Sequence, residues 1–232
     1  GDRRPALQLQ RPVVARDRLA AFAAPRFPAK VGDDPLDEFL GAHALAGGCD
    51  VAGQIDAVLQ RHERPVRLLR NLRITANDSG VTIEGPGAFE GVNPLTQTAR
   101  FTRQNTADGV YAIEIVGATD VTLSHLTVTG GKYGILADTN AGSHRLTLES
   151  NQVVGARVDG IYVGIGNNNA RIEANIVRNH GETGIDVLGA GAVIEGNEVY
   201  GNKWGIFATY SSTPSPADRI EVTGNMVHDN SV

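Results

Sequence analysis

The chain has 232 residues, a net charge of −5, 28 glycines and one cysteine, and only 5% of it is aromatic. The acidic balance argues against a nucleic-acid partner, no run of about 18 apolar residues is present to span a membrane, and Cys49 alone excludes an intrachain disulfide or a cysteine-rich zinc site. A core built from Val, Ile, Leu and Ala with so few large rings suits a thin solenoid better than a globule.

Residues 1–48 carry five prolines and no repeat. They read as an extended arm with two short helices, Val14–Ala24 and Pro35–Ala46, the second with Asp34 at its N-cap, Pro35 at the first helical position and Gly47 just past its end. Residues 49–65 predict a capping helix. Asp50 starts it, and Ile55, Val58 and Leu59 share one face. A solenoid needs such a cap because its terminal coil otherwise exposes core and strand edges. Val66 to Ile83 then supply the first strands.

From there the chain repeats. Leu123–Val128, Leu148–Val153, Ile172–Val177, Ile194–Val199 and Val222–Val227 superpose, with Asn151, Asn175, Asn197 and Asn225 in one column at spacings of 24, 22 and 28 residues. The first segment is slightly out of step and carries His125 near that column. A second column follows at Gly134-Ile135, Gly160-Ile161, Gly184-Ile185 and Gly205-Ile206, with Gly109-Val110 as an earlier copy. The short apolar alternations predict three strands per coil, each pairing in parallel with its counterpart one coil away. Asn tolerates the left-handed backbone that a one-residue corner demands, and stacked amides can hydrogen-bond along the axis. A leucine-rich repeat shares an asparagine column and a similar period but brings several leucines per repeat; these segments are Val-, Ile- and Gly-rich. The fold expected is all-β, a right-handed parallel β-helix over residues 66–232 with an N-terminal arm and capping helix.

The motif Ile-x-x-Asn-x-Val followed by Gly-Ile-x-Val resembles the parallel β-helix repeat proteins of the pectate-lyase-like superfamily, over about residues 66 to 232. That resemblance implies a cleft on the Gly-Ile sheet and, in members acting on acidic polysaccharides, a lyase reaction in which Arg or Lys removes a proton beside a uronate with calcium held by acids. Carried to this sequence, Lys203 or Lys132 would be the base, and Asp159 with Asp186 the calcium pair and catalytic carboxylates. The Gly-His-Gly of polygalacturonases and the Asp-Pro-His of alginate epimerases are both absent.

The residues point to the same surface independently. With Ile135, Ile161, Ile185 and Ile206 inward, Leu136, Tyr162, Asp186 and Phe207 face out, and Tyr133, Asp159, Thr183 and Trp204 precede the glycines. Turns nearby add Lys132, Arg157, His180, Glu182, Lys203 and Tyr210. Aromatic faces stack on sugar rings while charged groups hold hydroxyls and uronates. Tyr133, Tyr162, Trp204, Phe207, Tyr210, Lys132 and Arg157 are therefore the candidate polysaccharide contacts. His125 and His144 read as hydrogen-bonded structural residues, Asn167-Asn168-Asn169 as a loop, and Gly164-Ile-Gly166 lacks the Gly-Lys-Ser/Thr of a phosphate loop.

At the other end, Val222–Val227 begins a coil that Val232 leaves incomplete, which predicts a fragment of a longer polypeptide or an edge that pairs with another chain. The expected function is an extracellular or periplasmic polysaccharide-engaging domain, lyase-like on acidic polysaccharide. The alternative is a non-catalytic structural or adhesive solenoid of a larger surface protein; a third is a module organising an assembly through its open edge.

Overall fold

A computed structural model of the chain describes residues 66–85, 99–209 and 218–232. The expected arm, capping helix and Tyr210 lie outside the described residues. Within them the chain is a parallel β-solenoid of three sheets. Sheet A has seven strands, from Val66–Arg67 to Met226–His228. Sheet B has six, from Leu72–Thr75 to Trp204–Ala208, and sheet C six, from Thr82–Glu84 to Glu221–Thr223. One coil shows the plan: Gln152–Val154 in sheet A, Ile161–Val163 in sheet B, Arg171–Glu173 in sheet C, then Ile176–Arg178 back in sheet A. Every strand pair is parallel, so each backbone group finds its partner one coil away. The 3-10 turn Ala76–Asp78 is the one helical element lying wholly within the described residues, and no helix among them is long and apolar enough to cross a membrane.

The core is a set of aliphatic stacks along the axis. Val128, Val153, Val177 and Val199 line sheet A; Ile113, Ile135, Ile161 and Ile185 line sheet B; Leu123, Leu148, Ile172 and Ile194 line sheet C; all are at most 1% exposed. Each such side chain, once buried, contributes roughly 1.5–3 kcal/mol relative to exposure. Phe101 is the sole described aromatic in this core, as the composition requires.

The asparagine column forms a continuous amide chain at the corner between sheets C and A. Asn175 Oδ1 accepts from the Asn151 backbone N–H at 2.9 Å and from its Nδ2 at 3.1 Å, while Asn175 Nδ2 donates to Leu148 O at 2.7 Å. Asn197 and Asn225 repeat the pattern one coil on each. Two details differ from the sequence reading. The left-handed residue is the one before each asparagine: His125, Ser150, Ala174, Gly196 and Gly224 have φ between 54° and 64°. The asparagine instead turns its side chain inward, where the amide serves the backbone of the previous coil. The first repeat is also in step and not slightly out of it: Leu126 holds the column position, since Thr127 pairs with Gln152 and the Leu126 N–H donates to Asn151 Oδ1 at 3.0 Å. His125 bonds at this corner through its backbone N–H to Glu149 O at 3.2 Å, while its Nδ1 is buried without a hydrogen-bond partner among the described residues.

The glycine column has a steric cause. A Cβ on Gly184 would lie 2.4 Å from Val199 Cγ1, 2.8 Å from Asn202 Nδ2 and 2.8 Å from Gly205 O. Gly160 meets Val177, His180 and Gly184 in the same way. The earlier copy, however, is Ala112-Ile113, because Ile113 pairs with Ile135. Gly109-Val110 belongs to the loop before that strand, and the expected phase was three residues early.

Candidate functional site

Sheet B places its outward row in register as Glu114, Leu136, Tyr162, Asp186 and Phe207. A second column runs beside it. Tyr111 pairs with Tyr133, and Thr183 with Trp204. Asp159 falls between them, its carbonyl accepting from Gly134 N–H at 3.1 Å. The exposure along the outer row is uneven: Leu136 is 1% exposed although it points away from the solenoid, and Phe207 is 49% exposed. The face is therefore recessed at Leu136 and exposed at Phe207.

Three tyrosines form a wall along the axis. The Tyr111 and Tyr133 rings lie 5.8 Å apart and Tyr133 and Tyr162 5.4 Å, both tilted. Tyr162 OH and Thr139 Oγ1 are 3.2 Å apart. Lys132 Nζ sits 5.4 Å from the Tyr133 ring centroid. Burial, reinforced by the nearby Asp159 carboxylate, pushes the Tyr133 phenol up to about 12, so it keeps its proton.

The two aspartates stand on adjacent coils against this wall. Asp159 is 4% exposed and its Oδ1 accepts the Thr183 N–H at 2.8 Å. Burial raises its pKa and Glu182 adds to the rise, while the Thr183 hydrogen bonds and Lys132 oppose it. Asp186 Oδ1 is buried with no hydrogen-bond partner, and burial together with the Asp159 charge pushes that carboxyl up to about 6. The Asp159 charge is thus one of the two causes that raise Asp186, so the two carboxyls are electrostatically coupled.

The cations are all engaged. Lys132 Nζ and Arg157 Nη2 converge on Asp108 Oδ1 at 3.2 and 2.6 Å, and Arg157 Nε also donates to Thr106 O at 2.7 Å. Lys203 Nζ holds Glu182 Oε2 at 2.8 Å. Of the residues singled out from the sequence, Asp159, Asp186, Tyr133, Tyr162 and Lys132 are brought together, and Arg157 joins them through Asp108. Lys203, Trp204 and Phe207 sit on the last rung of sheet B, where Trp204 is 43% exposed. His180 is not on this face at all: it is buried in the turn between sheets A and B. Among the described residues no group of three or more His, Cys, Asp or Glu is arranged to hold a metal.

Sequence reasoning missed Tyr111, Asp108 and the inner ladders. Tyr111 was legible only with the right phase, which the Gly109 misplacement spoiled. The turn between sheets A and B has its own ladder: His180 Nδ1 accepts from Ala156 N–H at 3.0 Å, the His180 N–H donates to Asn202 Oδ1 at 2.9 Å, and the Asn202 N–H to Asn230 Oδ1 at 3.0 Å. Its spacing of 24, 22 and 28 residues repeats that of the first ladder. Asn167, read as plain loop, caps a third corner through Ser143 N–H and the carbonyls of Ala137, Asp138 and Gly164. His144 Nδ1 accepts from Asn168 N–H at 3.1 Å, as a structural residue should.

Neither a curated protein nor a solved structure matches this chain. The family model described as a right handed beta helix region matches residues 111–232, the stretch in which all three ladders and the glycine column lie. On that match and on three parallel sheets coiled in register, the chain belongs to the right-handed β-helix family.

Proposed function

We propose that the outer face of sheet B binds a polysaccharide along the solenoid axis and that Asp159 and Asp186 are its reactive groups. The observation that carries this reading is the juxtaposition of the Tyr111–Tyr133–Tyr162 wall with a carboxyl pair in which Asp186 Oδ1 has no protein partner. The tilted tyrosines offer ring faces to successive sugars, and a carboxyl whose buried oxygen the fold leaves unpartnered is not held there for structure. Trp204 and Phe207 extend the apolar contact along the axis.

Within this reading the chain is a lyase-like enzyme on acidic polysaccharide, as in the pectate-lyase-like proteins that it resembles. Lys203 is the base once substrate draws it from Glu182, with Lys132 as the other candidate. Calcium, if used, would sit on Asp159 and Asp186; two carboxylates supply too few oxygens for its six to eight ligands, so uronate oxygens would complete the sphere. Such chemistry belongs outside the cytoplasm, where polymeric uronates are met.

The test is binding to a panel of polygalacturonate, alginate and neutral glycans, read by Trp204 fluorescence, with ultraviolet absorbance of unsaturated products as the activity readout. Quenching and new absorbance with one polymer are expected. Absence of binding to every glycan would sink the reading.

A second reading has its own support. It is a non-catalytic structural or adhesive solenoid of a larger surface protein, held by the amide ladders between its coils, with the aspartates idle. Absence of binding to every glycan in the same panel favours it.

A further inference from the structure

Asp108 holds an unusual position. Its side chain is 83% exposed, yet its carboxylate is the common partner of Lys132 and Arg157, which come from two consecutive coils. The loop that carries it, residues 104–110, is tied down a second time by Arg157 Nε on Thr106 O. These two cations border the wall described above: Lys132 lies over the Tyr133 ring, and its charge acts on Asp159. They form a two-cation cradle of the kind that grips a carboxylate, and the only carboxylate now in it comes from the chain itself.

We infer that Lys132 and Arg157 form a subsite for a uronate carboxylate and that Asp108 is its intramolecular occupant, displaced when an acidic sugar binds. This rests on the polysaccharide reading of sheet B and adds to it the residues that take the uronate carboxylate and a competing group. A uronate seated there lays its ring on Tyr133 with its hydroxyls toward Asp159. Because Asp108 is exposed and its contacts are surface ion pairs, its displacement is a modest barrier, and its removal should strengthen binding by about two- to fivefold.

The experiment is calorimetric titration of the full chain and its Asp108→Asn variant with trigalacturonate, beside neutral maltotriose. Tighter trigalacturonate binding by the variant is expected, with maltotriose unchanged, and adding Lys132→Gln with Arg157→Gln should abolish the gain. The inference is overturned if Asp108→Asn binds trigalacturonate no better than the parent, if neither protein binds it, or if the gain survives loss of both cations. Should Asp108→Asn melt below the assay temperature, Lys132→Gln with Arg157→Gln in the parent decides instead: at least twofold weaker trigalacturonate binding supports the subsite, and unchanged binding removes it. Binding of some other glycan by the parent, with none to trigalacturonate, leaves the sheet B reading standing while the carboxylate subsite falls.

Discussion

The corner between sheets C and A and the turn between sheets A and B face one problem. At each, the backbone turns sharply through a left-handed residue, and inward-pointing N–H and C=O groups must be satisfied away from water. The first corner answers with four asparagines on successive rungs. The second uses Ala156, His180, Asn202 and Asn230, and the imidazole does the work of an amide: Nδ1 accepts from Ala156 N–H, and the proton on Nε2 is donated to Val153 O at 3.0 Å. The comparison teaches that the ladder is defined by acceptor and donor geometry, with residue identity secondary. Identity does matter when a rung can change charge, because an amide cannot and an imidazole can.

The largest effect should come from breaking the first corner. Asn175→Leu removes the acceptor of the Asn151 N–H and Nδ2 and the donor to Leu148 O, all buried. Asn151 Nδ2 keeps its bond to Leu123 O, so two groups are orphaned, and at roughly 1–3 kcal/mol for each the loss comes to about 4 kcal/mol. Urea unfolding of the variant beside the parent measures it; a loss under about 1 kcal/mol would show that water replaces the rung.

The second corner is broken more selectively by acid. Burial holds His180 down to about 4, with the Val153 carbonyl opposing that shift and Arg178 adding to it. The folded pKa is thus below the unfolded 6.5, so stability is full above about pH 6.5 and falls as pH drops toward 4, by an amount of order 3 kcal/mol. His180→Asn matches the neighbouring rungs and should erase that slope while keeping the ladder. Thermal melts of both proteins between pH 7 and pH 4 check this, and equal slopes would show that His180 does not set the acid limit.

A smaller effect is expected where the glycine column backs onto this ladder. Gly184→Ala puts a Cβ 2.8 Å from the Gly205 carbonyl and from Asn202 Nδ2, which the backbone cannot fully relieve. A destabilisation of about 2 kcal/mol is expected from such overpacking, read as a lower urea midpoint. The same substitution at Gly142, where a Cβ meets nothing within 4 Å but φ is +73°, serves as the control for strain alone.

How much of this was legible in the sequence follows from the same comparison. Asn151 to Asn225 showed themselves because one residue type recurs at one column, and Gly134 to Gly205 because nothing else fits there. The His180 ladder was hidden because three residue types fill one geometric role. The first coils were misread by a few residues since Leu126 and Ala112 stand where the later coils have Asn and Gly. In the site, outward-facing Tyr162 and Asp186 followed from alternation, whereas the Asp108 cradle did not. Asp108 lies 24 and 49 residues from its partners in a loop with no repeat phase, and only folding brings it to them.

The mildest prediction sets the site against the ladder. Asp186 is pushed up to about 6 by burial and by Asp159, the opposite sense to His180. Its folded pKa lies above the unfolded 3.8, so the protonated carboxyl favours the fold at low pH and that contribution is lost as pH rises through about 6. Above that pH Asp186 carries an ionised, partly buried group beside a second carboxylate with one oxygen unpartnered. Asp186→Asn keeps the shape and removes the charge, and after discounting for its partial exposure should stabilise the protein by about 1 kcal/mol at pH 8 and by almost nothing at pH 4. Such a gain at neutral pH marks a residue held against the interest of stability, as reactive carboxyls are, whereas inert decoration of the solenoid would show no gain. Melting Asp186→Asn at both pH values separates the two, and a variant less stable at pH 8 would mean that Asp186 has a structural partner it relies on.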